Sequence, residues 1–367
     1  MTQKVQALPL GMRATEQVQQ RLRSAAGPWA RPNWLFLGIA LAASLALPWI
    51  LNQMNGGRFY LHLIILFFGW GIVVQCWNLI MGVSGIFSFA QVALFAIGGW
   101  TSGVLAIEFG VNPWIAIWTA PIAAVLAALI IGLPTLRLRG IYVVLLTLAF
   151  SELLRNFVTT GPKIISGGGY GLKEVPKLGF ENWFGGGYDR ILYYYVGLIF
   201  FVVTMFAIWR ILYSPIGMAF RALRDSETYA ISRGVSPFRF KLFLFGFSAF
   251  FTGLAGGFLT HYQGAISPSI FNFSVTITLL AMIVLGGLGS FWGPILGTAI
   301  LVILPEALRA AENYRNLALG VSMALIAVFA PQGLGPLTAN WVKKAYRSIR
   351  GKGRTQDGEA VQPSQQP

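Results

Sequence analysis

The chain has 367 residues, 56% of them hydrophobic and 11% charged, with a mean hydropathy of +0.66 and a formal net charge of +15. So apolar a chain cannot cover itself with a polar surface, which excludes a soluble globular domain and predicts an all-α, polytopic integral membrane protein. The basic excess does not point to nucleic acid, because Lys and Arg lie in short loops and tails between apolar runs rather than along one soluble face.

In chain order, residues 1–33 form a basic tail in which Lys4, Arg13, Arg21, Arg23 and Arg31 face the single acid Glu16. No apolar core comes early enough for a secretory signal, and the first span, Trp34 to Leu51, reads as an uncleaved anchor. Apolar stretches near the length of a membrane crossing predict about ten spans within a transmembrane domain covering 34–335, followed by a cytoplasmic C-terminal tail, 336–367. The second to fifth run from Tyr60 to Met81, Phe87 to Ile107, Trp114 to Leu133 and Gly140 to Val158. The sixth and seventh run from Ile191 to Tyr213 and Phe238 to Thr260. The eighth runs from Ile270 to Leu285, short and ending in glycines, the ninth from Trp292 to Leu308, and the tenth from Leu317 to Ala330, also short. An even count puts both termini on one side. With the N-terminus inside, 19 of the 27 Lys and Arg residues fall on the cytoplasmic side, as the positive-inside rule requires.

Cys76, the single cysteine, lies in an apolar run, which leaves no intramolecular disulfide and no cysteine-based metal site. His62 and His261 have no ligand-spaced neighbours and read as structural or interfacial.

Between the sixth and seventh spans, residues 214–237 read as two short helices on the membrane surface. Ser214 caps the first, Pro215 opens it, and Ile216, Ala219, Phe220 and Leu223 share one face. Asp225 or Ser226 caps the second, with Glu227 in its first turn, Arg233 in its last and Gly234 as its stop. Such an elbow suits docking to another protein. It reads equally as a positive-inside loop resting on lipid headgroups.

Two stretches interrupt the apolar runs with glycine and polar atoms. One runs from Asn78 to Gln91 and includes Gly82, Ser84, Gly85 and Ser88; the other runs from Gly286 to Pro294. Lipid does not tolerate such backbone unless protein or a water-filled cavity partners it. Either these are discontinuous helices lining a translocation path, with Ser84, Gly85, Ser88 and Gln91 as candidates, or the glycines serve tight turns and close helix packing. In the fifth span Thr147, Ser151 and Arg155 recur at helical spacing, and Glu152 lies about 18 Å along the helix from Gly140. Glu152 and Arg155 read as a structural clamp or as a substrate ligand, with Thr147, Ser151 and Glu152 joining the candidate path. Glu306 and Arg309 read as snorkelling residues.

These pieces together resemble a known family. Asn78 to Trp100, with its glycine, serine, phenylalanine and glutamine run, resembles the opening motif of the branched-chain amino acid ABC transporter permeases, and Gly140–Tyr142 followed by Thr147–Arg155 resembles the next. The elbow resembles that family's ATPase-contacting segment, with Gly217, Ala219, Arg221, Ala222, Arg224, Glu227, Ala230 and Gly234 in matching places, and Asp225 is counted in the same expected coupling segment. Lys241–Leu242, Ser248–Gly256, Ile266–Pro268, Leu285–Gly289 and Pro331–Leu334 continue the match in order. Met218 and Gln332 stand where arginine is usual, and Thr160-Gly161-Pro162 replaces a double glycine. The long N-terminal tail resembles the LivM-type member of the permease heterodimer.

The resemblance implies the permease subunit of an ATP-driven importer in the bacterial inner membrane. A second permease subunit would complete the path, two ABC ATPase subunits would dock on the cytoplasmic elbows, and a periplasmic substrate-binding protein would deliver branched-chain amino acids. No phosphate-binding G-x-x-x-x-G-K-[ST] run occurs, so this chain is not expected to be an enzyme or to bind a cofactor, and ATP would be used by partner subunits. The loop Ser166–Gly171 reads as a landing surface for the binding protein or as a solvated connector. The family also moves urea, short amides and aromatic acids, and no residue here selects among them. A secondary transporter using an ion gradient through Glu152 is the rival from another class.

Overall fold

A computed structural model describes residues 44–51, 53, 56–135, 137–138, 140–162, 169–179 and 189–307. The two tails, most of the first span, the tenth span and Pro331–Leu334 lie outside them. So do Arg139, Lys163, Ser166–Gly168, Glu181, Arg309 and the side chain of Glu306.

Six helices among the described residues are long and apolar enough to cross a membrane. The first, α1 (Gly57–Asn78), continues through one widened turn, Leu79–Val83. It is followed by α2 (Gln91–Glu108), α3 (Pro113–Thr135), α4 (Ile141–Thr160) and α5 (Asp189–Leu212). The elbow consists of α6 (Pro215–Asp225) and α7 (Glu227–Ser232), and α8 (Pro237–Gln263) is the sixth long helix. The last two, α9 (Phe273–Gly286) and α10 (Gly293–Ala307), have 14 and 15 residues. At 1.5 Å per residue α9 reaches about 21 Å, short of a hydrocarbon core of about 30 Å. The eighth predicted span therefore exists as a helix too short to cross alone, the ninth as a helix described as far as Ala307, and ten crossings are not seen among the described residues.

The packing is that of a protein whose solvent is lipid. Along α3, Ala116, Ala120, Ala124 and Ala128 are buried, whereas Ile115, Trp118, Ile122, Leu126 and Ile130 are exposed. Small residues face inward because lipid tails are as apolar as leucine, so helices gain by close approach rather than by hiding bulk. Central to this is α8, which packs on α1, α2 and α3. A methyl group at Gly253 would collide with the Ala124 Cβ, and one at Gly256 with the Phe95 carbonyl.

The helix ends form two clusters. At one, Leu172–Lys173 pairs antiparallel with Ala265–Ile266, Trp114 Nε1 donates to Leu178 O at 3.1 Å, and Arg190 donates to Arg58 O at 3.0 Å. His261 is buried there between Ser102 Oγ at 2.8 Å and Pro176 O at 2.7 Å, and His62 bonds the Tyr262 hydroxyl at 2.7 Å. Both histidines thus have structural partners. The elbow, the widened turn of α1 and the α9–α10 loop gather at the other end.

Because Gly256 admits no side chain, Gly256→Val should lower the thermal unfolding midpoint in detergent, costing about 1–3 kcal/mol. Gly246→Ala, where nothing lies within 4 Å of the added methyl, should leave the midpoint unchanged or slightly raised.

Candidate functional site

The elbow forms because a serine–proline start and a glycine stop bracket two amphipathic turns. Pro215 occupies the first helical position of α6 and Gly234, with φ +82°, ends α7. Of the two expected caps, Ser226 accepts from Tyr229 N at 3.3 Å. Ser214 does not cap α6; its hydroxyl turns back to donate to Ile211 O at 2.7 Å, a carbonyl that also accepts from Ser214 N as α5 ends. The buried face of α6 centres on Gly217, Phe220 and Leu223, with Ile216 and Ala219 only half-buried at its edge. Gly217 takes this place because its backbone lies against the Ile211 and Leu212 carbonyls.

Three spans hold the elbow. Arg221 donates to Leu212 O at 2.7 Å and so closes the end of α5. Burial pulls this guanidinium below its ordinary value, yet it stays a cation because that value is so high. Lys241 at the start of α8 pairs with Glu227 at 3.0 Å, and Phe220 meets Phe240 edge-on, with ring centroids 6.1 Å apart. Arg224 Nη1 donates to Gly82 O at 2.9 Å, reaching α1, while its Nε pairs with Asp225 at 3.2 Å. Ala222 is half-buried and Ala230 is buried against this framework. What remains outward is mixed: Met218, Tyr229 and Ile231 are 63%, 57% and 52% exposed, beside Arg224, Asp225 and Arg233.

Beneath Arg224 the two glycine-bearing stretches meet. Leu79–Val83 widens to a π turn in which Ser84 N bonds Leu79 O at 3.3 Å and Ile86 N bonds Ile80 O at 3.1 Å. Gly82 lies so close to the Gly289 backbone that a methyl group would strike it. Gly85 has φ +72°, a left-handed conformation that glycine adopts without strain, and the Arg224 side chain lies over the place a Cβ would occupy. Asn78 Nδ2 donates to Ser290 O and its Oδ1 accepts from Gly289 N, both at 2.8 Å. Gln75 Nε2 donates to Phe291 O at 2.8 Å.

The strap from Ser84 to Ala90 is bonded to its neighbours at several points. Ser84 Oγ donates to Ile80 O at 2.6 Å, and Trp77 Nε1 donates to the Ser88 carbonyl at 2.7 Å. Thr147 Oγ1 accepts from Phe89 N at 3.0 Å and Ser151 Oγ donates to Phe89 O at 3.4 Å, so both dock α4 onto the strap. Gln91, fully buried, donates to Ser248 Oγ at 3.0 Å and to Thr252 Oγ1 on α8. Ser84, Ser88, Gln91 and Thr147 are therefore buried and engaged with the chain itself. Glu152 lies elsewhere, on the exposed face of α4, bonded to Arg155 at 3.2 Å. The opposite face of α4 borders a cavity of about 360 Å³ lined by Trp100, Thr101, Leu154, Phe157, Val158 and Phe271 and their apolar neighbours.

Sequence reasoning did not single out Asn78 or Gln75 as site residues. Their spacing with Gly82, at i, i+3 and i+7 on one face of an otherwise apolar helix, is the signal that marks them.

A bundle with six spans, two short apolar helices and an amphipathic elbow defines a multi-pass membrane protein. Residues 59–330 match the family described as the permease component of branched-chain amino acid transport systems. The chain belongs to this family. It is 34% identical over 339 residues to the high-affinity branched-chain amino acid transport system permease protein LivM of Escherichia coli K12, covering 87% of this chain and 78% of that one. It is also 27% identical to a probable branched-chain amino acid transport permease protein LivM of Methanocaldococcus jannaschii, covering 80% of this chain and 99% of that one. No solved structure matches it.

If Lys241 and Glu227 fasten α7 to α8, a double-mutant cycle through Lys241→Ala and Glu227→Ala should give a coupling of about 0.5–1 kcal/mol in thermal unfolding. Added salt should shrink it, since both side chains keep some contact with water.

Proposed function

We propose that this chain is the permease subunit of an ATP-driven importer of branched-chain amino acids in the bacterial inner membrane. It supplies half of the translocation path, with a second permease subunit supplying the rest, and takes its mechanical input at the elbow. The observation that carries the reading is the elbow's construction: fixed to α1, α5 and α8 on its inner side, it turns Met218, Tyr229 and Ile231 outward among charges. Exposed apolar side chains on a rigid, charged platform suit a protein partner, whose contacts centre on such anchors. That partner is an ABC ATPase subunit facing the cytoplasm, one for each permease, and ATP is bound and hydrolysed there. A periplasmic binding protein delivers the solute at the opposite end.

The substrate follows from the names of the relatives, and the apolar cavity between α2 and α4 is compatible with an aliphatic side chain. Motion of the elbow would rock the attached spans and open the path alternately to either side. Glu152 and Arg155, exposed on α4, are assigned to the path wall, because a charged pair at that depth needs water or protein rather than lipid.

Met218→Glu combined with Ile231→Glu should keep the chain folded, remove the ATPase subunit from the purified complex and cut ATP-dependent uptake by about tenfold or more. Retained ATPase and unchanged uptake would contradict the docking assignment. Uptake by the isolated chain in vesicles, driven by an ion gradient without ATP, would replace this reading with a secondary transporter.

A further inference from the structure

The elbow's hydrogen bond to α1 ends on a carbonyl that a regular helix would have used itself. Gly82 O is free to accept from Arg224 because the widened turn has moved the next donors away, and it sits one helical turn beyond Asn78 on the same face. Asn78 is 3% exposed and spends both ends of its amide on the α9–α10 loop, as donor to Ser290 O and acceptor from Gly289 N. Gln75 adds a third bond, to Phe291 O. Three consecutive loop residues thus hang from one face of α1, directly below the residue that the elbow grips.

The loop has no stronger tether among the described residues. Its flanking helices meet through Gly286 and Gly293, each placed so that a methyl group would hit the other's carbonyl. Ser290 Oγ closes the loop on itself by donating to Gly287 O at 2.8 Å. The tip of this hairpin is fixed to α1 by the Asn78 and Gln75 amides, while α10 packs along α1 itself, so the tip and α1 move together. The Gln75 Oε1 is buried and makes no hydrogen bond among the described residues, so the loop has a second acceptor within reach when it shifts.

We propose that Asn78 is a positioning residue that ties the α9–α10 loop to α1, so that elbow displacement, felt at Gly82 through Arg224, moves both glycine-bearing stretches as one unit. This rests on the reading of the elbow as the point of ATPase input. It adds to that reading a route by which the input reaches α9 and α10, which the elbow does not hold directly.

The test uses the whole transporter in vesicles and reads solute taken up per ATP hydrolysed. Asn78→Asp is the informative variant. A protonated carboxyl donates to Ser290 O and accepts from Gly289 N, as the amide does, whereas a carboxylate can only accept and repels the Ser290 carbonyl. Its ratio to wild type should therefore approach one near pH 5 and fall by about tenfold toward pH 8, as the buried carboxyl loses its proton. Asn78→Ala should be uncoupled at every pH, and Arg224→Ala should uncouple while Arg224→Lys, still able to donate to Gly82 O, recovers part of the coupling.

A ratio for Asn78→Asp that stays flat across this range would overturn the proposal, even if the alanine variant fails to assemble. So would an assembled Asn78→Ala complex with wild-type uptake per ATP. A wild-type complex in which ATP hydrolysis and uptake are unlinked would instead remove the elbow reading beneath the proposal.

Discussion

The structure depends on partnering the backbone that its glycines set free. In an apolar medium every N–H and C=O that leaves a regular helix must find a partner within the protein, since no lipid tail offers one. Here the partners come from a few polar side chains buried in apolar helices. Trp77 takes the Ser88 carbonyl, Thr147 and Ser151 take the two sides of Phe89, Asn78 and Gln75 hold Gly289 to Phe291, and Arg224 reaches Gly82. These residues decide where the chain can bend.

The close-packed glycines and alanines supply the second constraint. Because α8 approaches α2 and α3 almost backbone to backbone, those three helices have little freedom to slide over one another. The α9–α10 pair is built differently: α10 lies along α1, and the loop that joins it to α9 is bonded to α1 through Asn78 and Gln75. A rigid block beside a tethered hairpin is the arrangement that lets force at one surface produce displacement at one place, rather than a diffuse deformation of the bundle.

Much of this was legible in the sequence. The apolar runs from Tyr60 to Thr260 become helices within a few residues of their expected ends, because span length follows from the thickness of hydrocarbon alone. The elbow, with Pro215, Ser226 and Gly234 at its boundaries, is marked by residues whose conformational preferences are local. Long-range partners were not legible. That Ser88, Gln91 and Thr147 need partners is evident from their setting, but their being turned onto Trp77, Ser248, Thr252 and Phe89 depends on which helix packs where. Ile216 and Gly217 exchange places for the same reason: helical spacing locates a face to within one position, and the approach of the α5 carbonyls decides the rest. The shortness of α9 was visible, yet the attachment of the α9–α10 loop to Asn78 spans more than 200 residues of sequence and has no local signature.

A permease driven from the cytosol must expose its elbow there and cover it when the motor binds. Cys76 is buried and is the chain's single cysteine, so Thr228→Cys, at an exposed position of α7, gives a clean labelling site. The decisive measurement is its reaction with a membrane-impermeant maleimide. The account predicts labelling in inside-out vesicles, none in intact cells, and protection when the ATPase subunit is bound. Labelling of intact cells from outside, or undiminished labelling in the assembled complex, would contradict it.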